Sequence, residues 1–377
     1  MRIPRLVTGL VVVAVAVLSM TALPAAADPP GEVAPGATAI VGVGSNTNED
    51  LFDQFAHDYD PSHKGALQLY SWDAENAVTG ALNDLIKFKK GCVAEPRPNG
   101  SGAGITALTT NQGGTVSGHP CVDFARSSSG RSATVPPYAP GGIAYVALAG
   151  DAVTYATVSG SNAPSNLTTA QLTEIYECQI TNWGQVGGKN APIQAYLPQT
   201  SSGTRTFFLK AIGVSSPGAC VSDQNNNLQE NEGTNPLLHS KDAIFPYSVG
   251  KYIAQTYHSA ACTVSSCASV HGAICHPHGS QDEFGCDNRG SLVLRDINGT
   301  APATGSGHST VISSGFTAAF VRTLYEVVRF SASTGDHIPA YLEPLFGASG
   351  WACTSPVAKA DLRDYGFTVL PSCGHTD

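Results

Sequence analysis

The chain has 377 residues, in which 29 Asp and Glu residues outnumber 20 Lys and Arg residues, so its formal net charge is -9. This acidic balance argues against nucleic acid and against an anionic membrane surface as partners, because neither is attracted to a negative field. Only 13% of the residues are charged, and 40 of the 377 are glycines. We therefore expect uncharged hydrogen-bond donors to dominate ligand recognition. The length predicts two lobes rather than one core.

The N-terminus predicts a secretory signal peptide at residues 1–27. Arg2 and Arg5 precede an apolar run from Leu6 to Met20, and Ala25–Ala27 forms an A-x-A cleavage site before Asp28. The run is too short for a membrane span, and no later segment is apolar enough to cross a bilayer. No cysteine stands at the cleavage site to carry a lipid anchor. We therefore expect a soluble protein that is secreted to the extracellular side.

Three polar loops in the first third of the chain contain candidate ligand groups. In GVGSNTNEDLFDQF, glycines loosen a turn that opens into a helical pattern with capping-box spacing, and Ser45 and Asn46 stand at its start. RPNGSGAGITAL has the same arrangement, with Ser101 and Gly102 ahead of a helical face. The loop DFARSSSGR ends a short predicted strand, and its candidates are Arg126, Ser127 and Ser128.

The segment PQTSSGTRTFFLKAI at residues 198–212 is the most informative part of the chain. A Ser-Gly-Thr run opens directly into an apolar helix, so backbone N–H groups, hydroxyls and the positive end of the helix dipole converge where an anion can bind. One such loop alone is better explained by ordinary helix capping, whereas four in one chain favour an oxyanion pocket. The candidates here are Thr200, Ser202, Gly203, Thr204 and Arg205.

Strand-like and helix-like patterns alternate along the chain. Apolar stretches predict strands at 39–43, 143–149 and 153–158, and helical spacings predict helices at 47–59, 168–177, 203–212 and 316–330. This alternation predicts an α/β fold whose ligand loops lie at the ends of the strands.

Ten cysteines, all beyond residue 90, indicate an oxidising compartment and allow up to five disulfides. Spacing does not determine the connectivity. Closeness in sequence favours three pairs, Cys262 with Cys267, Cys275 with Cys286 and Cys353 with Cys373, and the set is completed by Cys92 with Cys121 and Cys178 with Cys220.

A segment rich in Cys, His, Ser and Gly, at about 258–288, interrupts the periodic patterns. Its Cys275, His276, His278 and Cys286 form an alternative zinc-binding set. An exported protein with an even number of cysteines favours disulfides instead. The sequence therefore predicts a disulfide-rich excursion, with no metal and no cofactor.

Taken together, these motifs resemble those of the phosphate-binding proteins of phosphate ABC transporters, in a secreted, actinobacterial-like branch. GVGSNTNEDLF, RPNGSGAGI and CVDFARSSSGR resemble the three anion loops of that family, and LTTAQLTEIYECQITNWGQVGG and TSSGTRTFF resemble two segments of its second lobe. The resemblance spans most of residues 39–255 and implies a two-lobed type II periplasmic-binding fold with the ligand cleft between the lobes. It implies lobe I at about 37–138 plus 300–377 and lobe II at about 139–299.

The resemblance also implies a function. It implies a monomeric, non-catalytic extracellular protein that captures a small inorganic oxyanion for uptake through an ABC transporter permease. Phosphate is the first candidate for that oxyanion. The residues that match the family's oxyanion donors are Ser101, Ser202, Gly203 and Thr204.

Two departures from the family pattern concern selectivity. The family's Arg-x-Asp ahead of the Ser-Gly-Thr loop corresponds to Pro198 and Thr200, and the aspartate of its third loop corresponds to Ser128. A carboxylate acceptor lets a site prefer a protonated oxyanion over an unprotonated one such as sulfate. Its loss predicts that sulfate competes with phosphate. Arg126 and Arg205 are then the candidate counter-charges, with surface or interlobe salt bridges as their alternative role.

Two other functions are consistent with the sequence. The departures and the missing lipid anchor favour a secreted surface protein that kept the fold and lost the ligand. A secreted hydrolase is the alternative from another class, but the chain has no G-x-S-x-G, H-E-x-x-H or P-loop lysine motif. Asp73 and Asp123 are candidates for a replacement acceptor carboxylate.

Overall fold

The computed structural model describes Asp28 and residues 33–62, 67–76, 79–132, 140–258 and 289–377. The predicted signal peptide and residues 259–288 of the predicted excursion lie outside this part of the chain. So do the cysteine pairs Cys262 with Cys267 and Cys275 with Cys286, and the alternative zinc ligands. Within the described residues, no helix is both long enough and apolar enough to span a bilayer.

The described chain contains 17 strands and eight α-helices. In chain order the strands are β1 Ile40–Gly44, β2 Leu69–Ser71, β3 Leu85–Ile86, β4 Glu95–Pro96, β5 Thr115–Val116, β6 His119–Pro120, β7 Phe124–Ser127, β8 Ile143–Val158, β9 Asn166–Leu167, β10 Gln194–Ala195, β11 Ala243–Ser248, β12 Leu292–Leu294, β13 Asp296–Ile297, β14 Ala303–Thr304, β15 Val311–Ile312, β16 Val321–Arg329 and β17 Thr368–Val369. The α-helices are α1 Glu49–Ser62, α2 Ser101–Thr109, α3 Thr169–Tyr176, α4 Gly203–Ala211, α5 Val249–Ile253, α6 Glu343–Phe346, α7 Trp351–Thr354 and α8 Pro356–Asp364.

The predicted helices at 47–59, 168–177 and 203–212 are confirmed as α1, α3 and α4. Their starts follow from capping chemistry. Thr168 and Gln171 form a reciprocal capping box ahead of α3, and the Ser202 hydroxyl accepts the Arg205 N–H at the start of α4. A single 3₁₀ turn, Asn46–Asn48, joins the end of β1 to α1.

One mixed sheet of nine strands forms the centre of the molecule. Its order is β10, β11, β8, β16, β7, β1, β2, and β12 and β17 also pair with β8. β1 runs parallel to β2 and β7, whereas β16 runs antiparallel to both β7 and β8. Because β1 and β7 are parallel neighbours, the loops that follow them leave the same edge of the sheet.

Two hydrophobic cores pack against this sheet, each made of two clusters. Alternate residues of Ile143–Ala149 enter the two clusters packed by α1, α2 and the C-terminal helices, which we call the first core. Residues Ala152–Val158 enter the two clusters packed by α3, α4 and β11, which we call the second core. The 16 residues of β8, all buried and about 50 Å long at the usual strand rise, therefore connect the two cores.

The strand β16 corrects one sequence prediction. A helix was expected at 316–330, but only a 3₁₀ turn at Ala318–Phe320 precedes a strand at Val321–Arg329. The apolar residues Phe320, Leu324 and Val328 recur every four positions, a spacing that one face of a strand shares with one face of a helix. Pairing with β7 and β8 decides between the two, and the β-branched residues of the segment suit a central strand.

Two further predictions on the chain are settled by the structure. The strands expected at 143–149 and 153–158 are one continuous strand, because β16 pairs with it from Ile143 to Ala152, across Gly150, and β11 pairs with it from Val153 to Ala156. The three disulfides in the described residues, Cys92–Cys121, Cys178–Cys220 and Cys353–Cys373, are those predicted.

The lobe boundaries remain a prediction. Phe316 and Phe320, which fall in the predicted lobe I, pack in the second core.

Candidate functional site

Three of the predicted polar loops meet beside the first core. The register pairs Gly44 of β1 with Arg126 of β7, so the residues that follow these two strands are neighbours. Ser128 Oγ lies 3.0 Å from Ser45 Oγ and 3.4 Å from Ser101 Oγ, and the Ser128 N–H donates to Ser101 Oγ at 3.1 Å. All three serines are buried.

The fourth predicted loop approaches these three from the second core. A Cβ placed on Gly203, at the start of α4, would lie 2.4 Å from both Ser101 Oγ and Ser128 Oγ. Thr204 Oγ1 lies 3.4 Å from Thr47 Oγ1. Glycine at position 203 is therefore what lets the helix start close against the serines.

A carboxylate of the chain itself lies where these loops converge. Glu230 Oε1 is 3.1 Å from Thr47 Oγ1 and 3.4 Å from Ser45 Oγ, both of which can donate to it. Its Oε2 accepts the Ser202 hydroxyl and, at 3.2 Å, the Thr204 N–H. We call Ser45, Thr47, Ser202 and Thr204 the cradle. Hydrogen bonds from hydroxyls and a helix N-terminal N–H to a carboxylate are those that an oxyanion accepts.

The buried guanidinium of Arg322 borders the cradle. Arg322 Nη2 donates to Thr204 Oγ1 at 3.1 Å and lies 3.4 Å from Thr47 Oγ1, and Nη1 donates to the Ser128 carbonyl at 2.9 Å. The same guanidinium donates from Nε and Nη2 to Asp151 Oδ2, at 2.9 and 2.8 Å. Arg322 therefore links the loops of both cores while Asp151 balances its charge.

Comparison with known proteins identifies the family. A sequence model described as the PBP superfamily domain matches residues 30–266, which include β1 and all four loops. The chain belongs to the PBP superfamily.

Two solved structures share the superfamily fold with this chain. An ABC-type phosphate transport receptor from Vibrio cholerae is 20% identical, covers 88% of this chain and 100% of its own, and has a TM-score of 0.50. A putative phosphate ABC transporter substrate-binding protein with bound phosphate, from Clostridium perfringens, is 14% identical, covers 88% of this chain and 99% of its own, and has a TM-score of 0.51. The predicted two-lobed α/β fold is confirmed.

Both arginines predicted as counter-charges point away from the cradle in this PBP superfamily chain. Arg126 donates from Nε to the Ser45 carbonyl at 3.0 Å and from Nη2 to the Trp72 carbonyl at 2.9 Å, so it braces the first loop from behind. Arg205 Nη1 pairs with Asp223 Oδ2 at 2.8 Å on the partly exposed side of α4.

Four other predicted residues have their recorded polar contacts outside the cradle. Asn46 and Ser127 are buried, whereas Gly102 and Thr200 are exposed. The contacts are Asn231 Nδ2 to Asn46 Oδ1 at 3.3 Å, the Gly102 N–H to Ser201 O at 2.9 Å, Ser127 Oγ to Ser129 O at 2.8 Å, and the Thr200 N–H to Asn226 Oδ1 at 2.6 Å.

Sequence reasoning missed three residues of the site. Thr47 lies inside the first motif and was assigned to the helix pattern, so its hydroxyl had a local signal. Glu230 lies in LQENEG, which has no recognised motif, and Arg322 lies in the segment predicted as a helix. Neither the carboxylate nor the guanidinium had a local signal that linked it to the loops.

A buried acidic group lies directly behind the first loop. Burial raises the pKa of Glu49, the first residue of α1, from its usual 4.5 to about 7, although Lys251 and Arg126 act in the opposite direction. Glu49 Oε2 accepts the Ala74 N–H at 2.8 Å. Burial, together with the charge of Glu49, also raises the pKa of Asp73. This part of the molecule therefore takes up protons on folding.

Proposed function

We propose that this protein is an extracellular solute-binding protein that captures a small inorganic oxyanion, phosphate first, for uptake through an ABC transporter permease. The Glu230 carboxylate is the observation that carries the proposal, since donors from loops of both cores hold an anionic group at one point. A tetrahedral oxyanion presents acceptor oxygens of the same chemistry to the same donors.

The electrostatics of the site support recognition by hydrogen bonds from neutral groups. Arg322 is balanced by Asp151, so the cradle itself consists of three hydroxyls and the Thr204 N–H. The start of α4 adds the positive end of a helix dipole. Burial of the cradle strengthens each of these interactions, because the local dielectric is far below that of water.

Phosphate is placed first because of the two proteins that share the fold. One is described as a phosphate transport receptor, and the other carries bound phosphate. We propose by extension that the chain is exported, acts as a monomer without catalytic activity, and closes lobe I (37–138 plus 300–377) and lobe II (139–299) over its ligand. The predicted oxyanion donors Ser101, Ser202, Gly203 and Thr204 remain part of this proposal.

Isothermal titration of the mature protein with phosphate, sulfate and molybdate tests the proposal. We expect phosphate to bind and sulfate to compete measurably, because Ser128 and Thr200 stand where the family pattern has acceptor carboxylates, and Glu230 occupies the anion donors instead of accepting from a bound anion. A ligand that binds only the folded state stabilises it by RT ln(1 + [L]/Kd), about 2.7 kcal/mol at a hundredfold excess over Kd. Absence of binding heat and of a thermal shift with all three anions would refute the proposal.

A second function is favoured by one specific observation. The cradle donors are already satisfied by Glu230, as expected of a secreted surface protein that kept the fold and lost its ligand. The titration separates the two, because such a protein binds none of the three anions.

A further inference from the structure

The segment that carries Glu230 is held firmly against the second core. Leu228 is fully buried, and its carbonyl accepts the Gln199 N–H at 2.7 Å. Asn231 has a left-handed backbone with φ of 63°, which asparagine tolerates better than most residues, and its Oδ1 accepts the Ser248 N–H at 3.1 Å. Fixed on both sides, the Glu230 side chain, 2% exposed, is directed into the cradle.

The Glu230 carboxylate connects the two cores. Its Oε1 contacts Ser45 and Thr47 from the loop after β1, and its Oε2 contacts Ser202 and Thr204 from the start of α4. The side chain thus makes the contacts that a bound anion would make between the lobes.

We propose that Glu230 is the affinity-setting residue of the oxyanion site, an internal carboxylate that an external oxyanion must displace from the cradle. This inference rests on the proposed function and deepens it. The competition follows from the geometry, because one N–H and three hydroxyls cannot give the same hydrogen bonds to two anions at once.

Displacement has a defined thermodynamic effect. If the carboxylate leaves the cradle in only a fraction of molecules, the apparent Kd of the external anion equals its intrinsic Kd divided by that fraction. Charge-assisted hydrogen bonds are about twice as strong as neutral ones, so the internal carboxylate is a substantial competitor. Its removal makes external binding tighter, and it leaves a space into which a small free carboxylate fits.

The test compares the wild-type protein with Glu230→Ala, using Glu232→Ala as the matched control. Glu232 lies two residues further along the same segment and is also buried, and none of the described cradle residues donates to its carboxylate. The probes are sodium acetate and sodium phosphate, with sodium chloride at equal ionic strength as reference. Thermal unfolding reports acetate binding, and isothermal titration reports the Kd for phosphate.

We expect Glu230→Ala to melt at a lower temperature than wild type in chloride, and we expect acetate to restore its melting temperature. Acetate should leave the melting temperatures of wild type and Glu232→Ala unchanged. We also expect the phosphate Kd of Glu230→Ala to fall about tenfold or more. If neither protein binds phosphate but acetate still stabilises Glu230→Ala, the internal carboxylate is supported and the proposed function fails.

The inference is overturned if folded Glu230→Ala gains nothing from acetate and binds phosphate no more tightly than wild type does. In that case phosphate binding by both proteins would leave the proposed function intact. Should Glu230→Ala fail to fold, Glu230→Gln, which keeps the shape and removes the charge, decides by its phosphate Kd alone. A tighter Kd supports displacement, and an unchanged or weaker Kd refutes it.

Discussion

Arg322 and Arg205 form ion pairs of equal length in very different surroundings. Arg322 Nη2 lies 2.8 Å from Asp151 Oδ2 with the two side chains 2% and 0% exposed, whereas Arg205 Nη1 lies 2.8 Å from Asp223 Oδ2 with 17% and 26% exposed. Arg322→Ala leaves the buried Asp151 carboxylate without its cation, so we expect the free energy of unfolding to fall by about 3 to 5 kcal/mol. Arg205→Ala should cost about 0.2 to 1 kcal/mol, because solvent screens that pair.

Urea denaturation of both variants measures the difference, with the slope m checked for constancy so that midpoint shifts report stability. Asp151→Asn and Arg322→Met, each alone and the two combined, complete the design. The double variant should lose less stability than the sum of the two single changes, since it leaves no buried charge unpaired. Equal losses for Arg322→Ala and Arg205→Ala would refute the reasoning that burial, rather than distance, sets the value of these pairs.

Two further predictions concern the ligand and the pH. Thr204→Val removes a hydroxyl beside the cradle N–H and should weaken phosphate binding by about 1 to 3 kcal/mol, roughly ten- to a hundredfold. Titration of Thr206→Val, an exposed site on the same helix, serves as the control. An unchanged Kd in Thr204→Val would leave the Thr204 hydroxyl as a structural acceptor for Arg322 only. Because the pKa of Glu49 is raised from 4.5 to about 7 in the folded state, its contribution to stability is complete below about pH 4.5 and is lost as the pH rises through about 7, by up to about 3 kcal/mol. Denaturation between pH 5 and 8 should therefore show a smaller loss of stability for Glu49→Gln than for wild type, and identical pH profiles would contradict the assignment.

Site residues whose role depends on their neighbours in the chain could be predicted from the sequence. The Ser-Gly-Thr run places a cap and free N–H groups at a helix start through local backbone geometry, so Ser202, Gly203 and Thr204 could be named before any tertiary contact was known. The serines of the first two loops were predictable for the same reason, and those of the third loop from their place at the end of a predicted strand. The disulfide Cys353–Cys373 followed from closeness in sequence and from the oxidising compartment.

Chemistry that depends on distant partners was decided by the tertiary structure. Segment 316–330 has a residue spacing that suits a helix or a strand, and only its position between β7 and β8 makes it a strand and brings Arg322 to Asp151, 171 residues away in sequence. Glu230 lies 185 residues from Ser45 and 28 from Ser202. No local periodicity encodes such separations, because periodicity reports which face of an element is buried and not what packs against that face. The sequence alone thus predicted three of the four cradle residues, Ser45, Ser202 and Thr204, whereas the folded chain determined which of its own charged groups meet them.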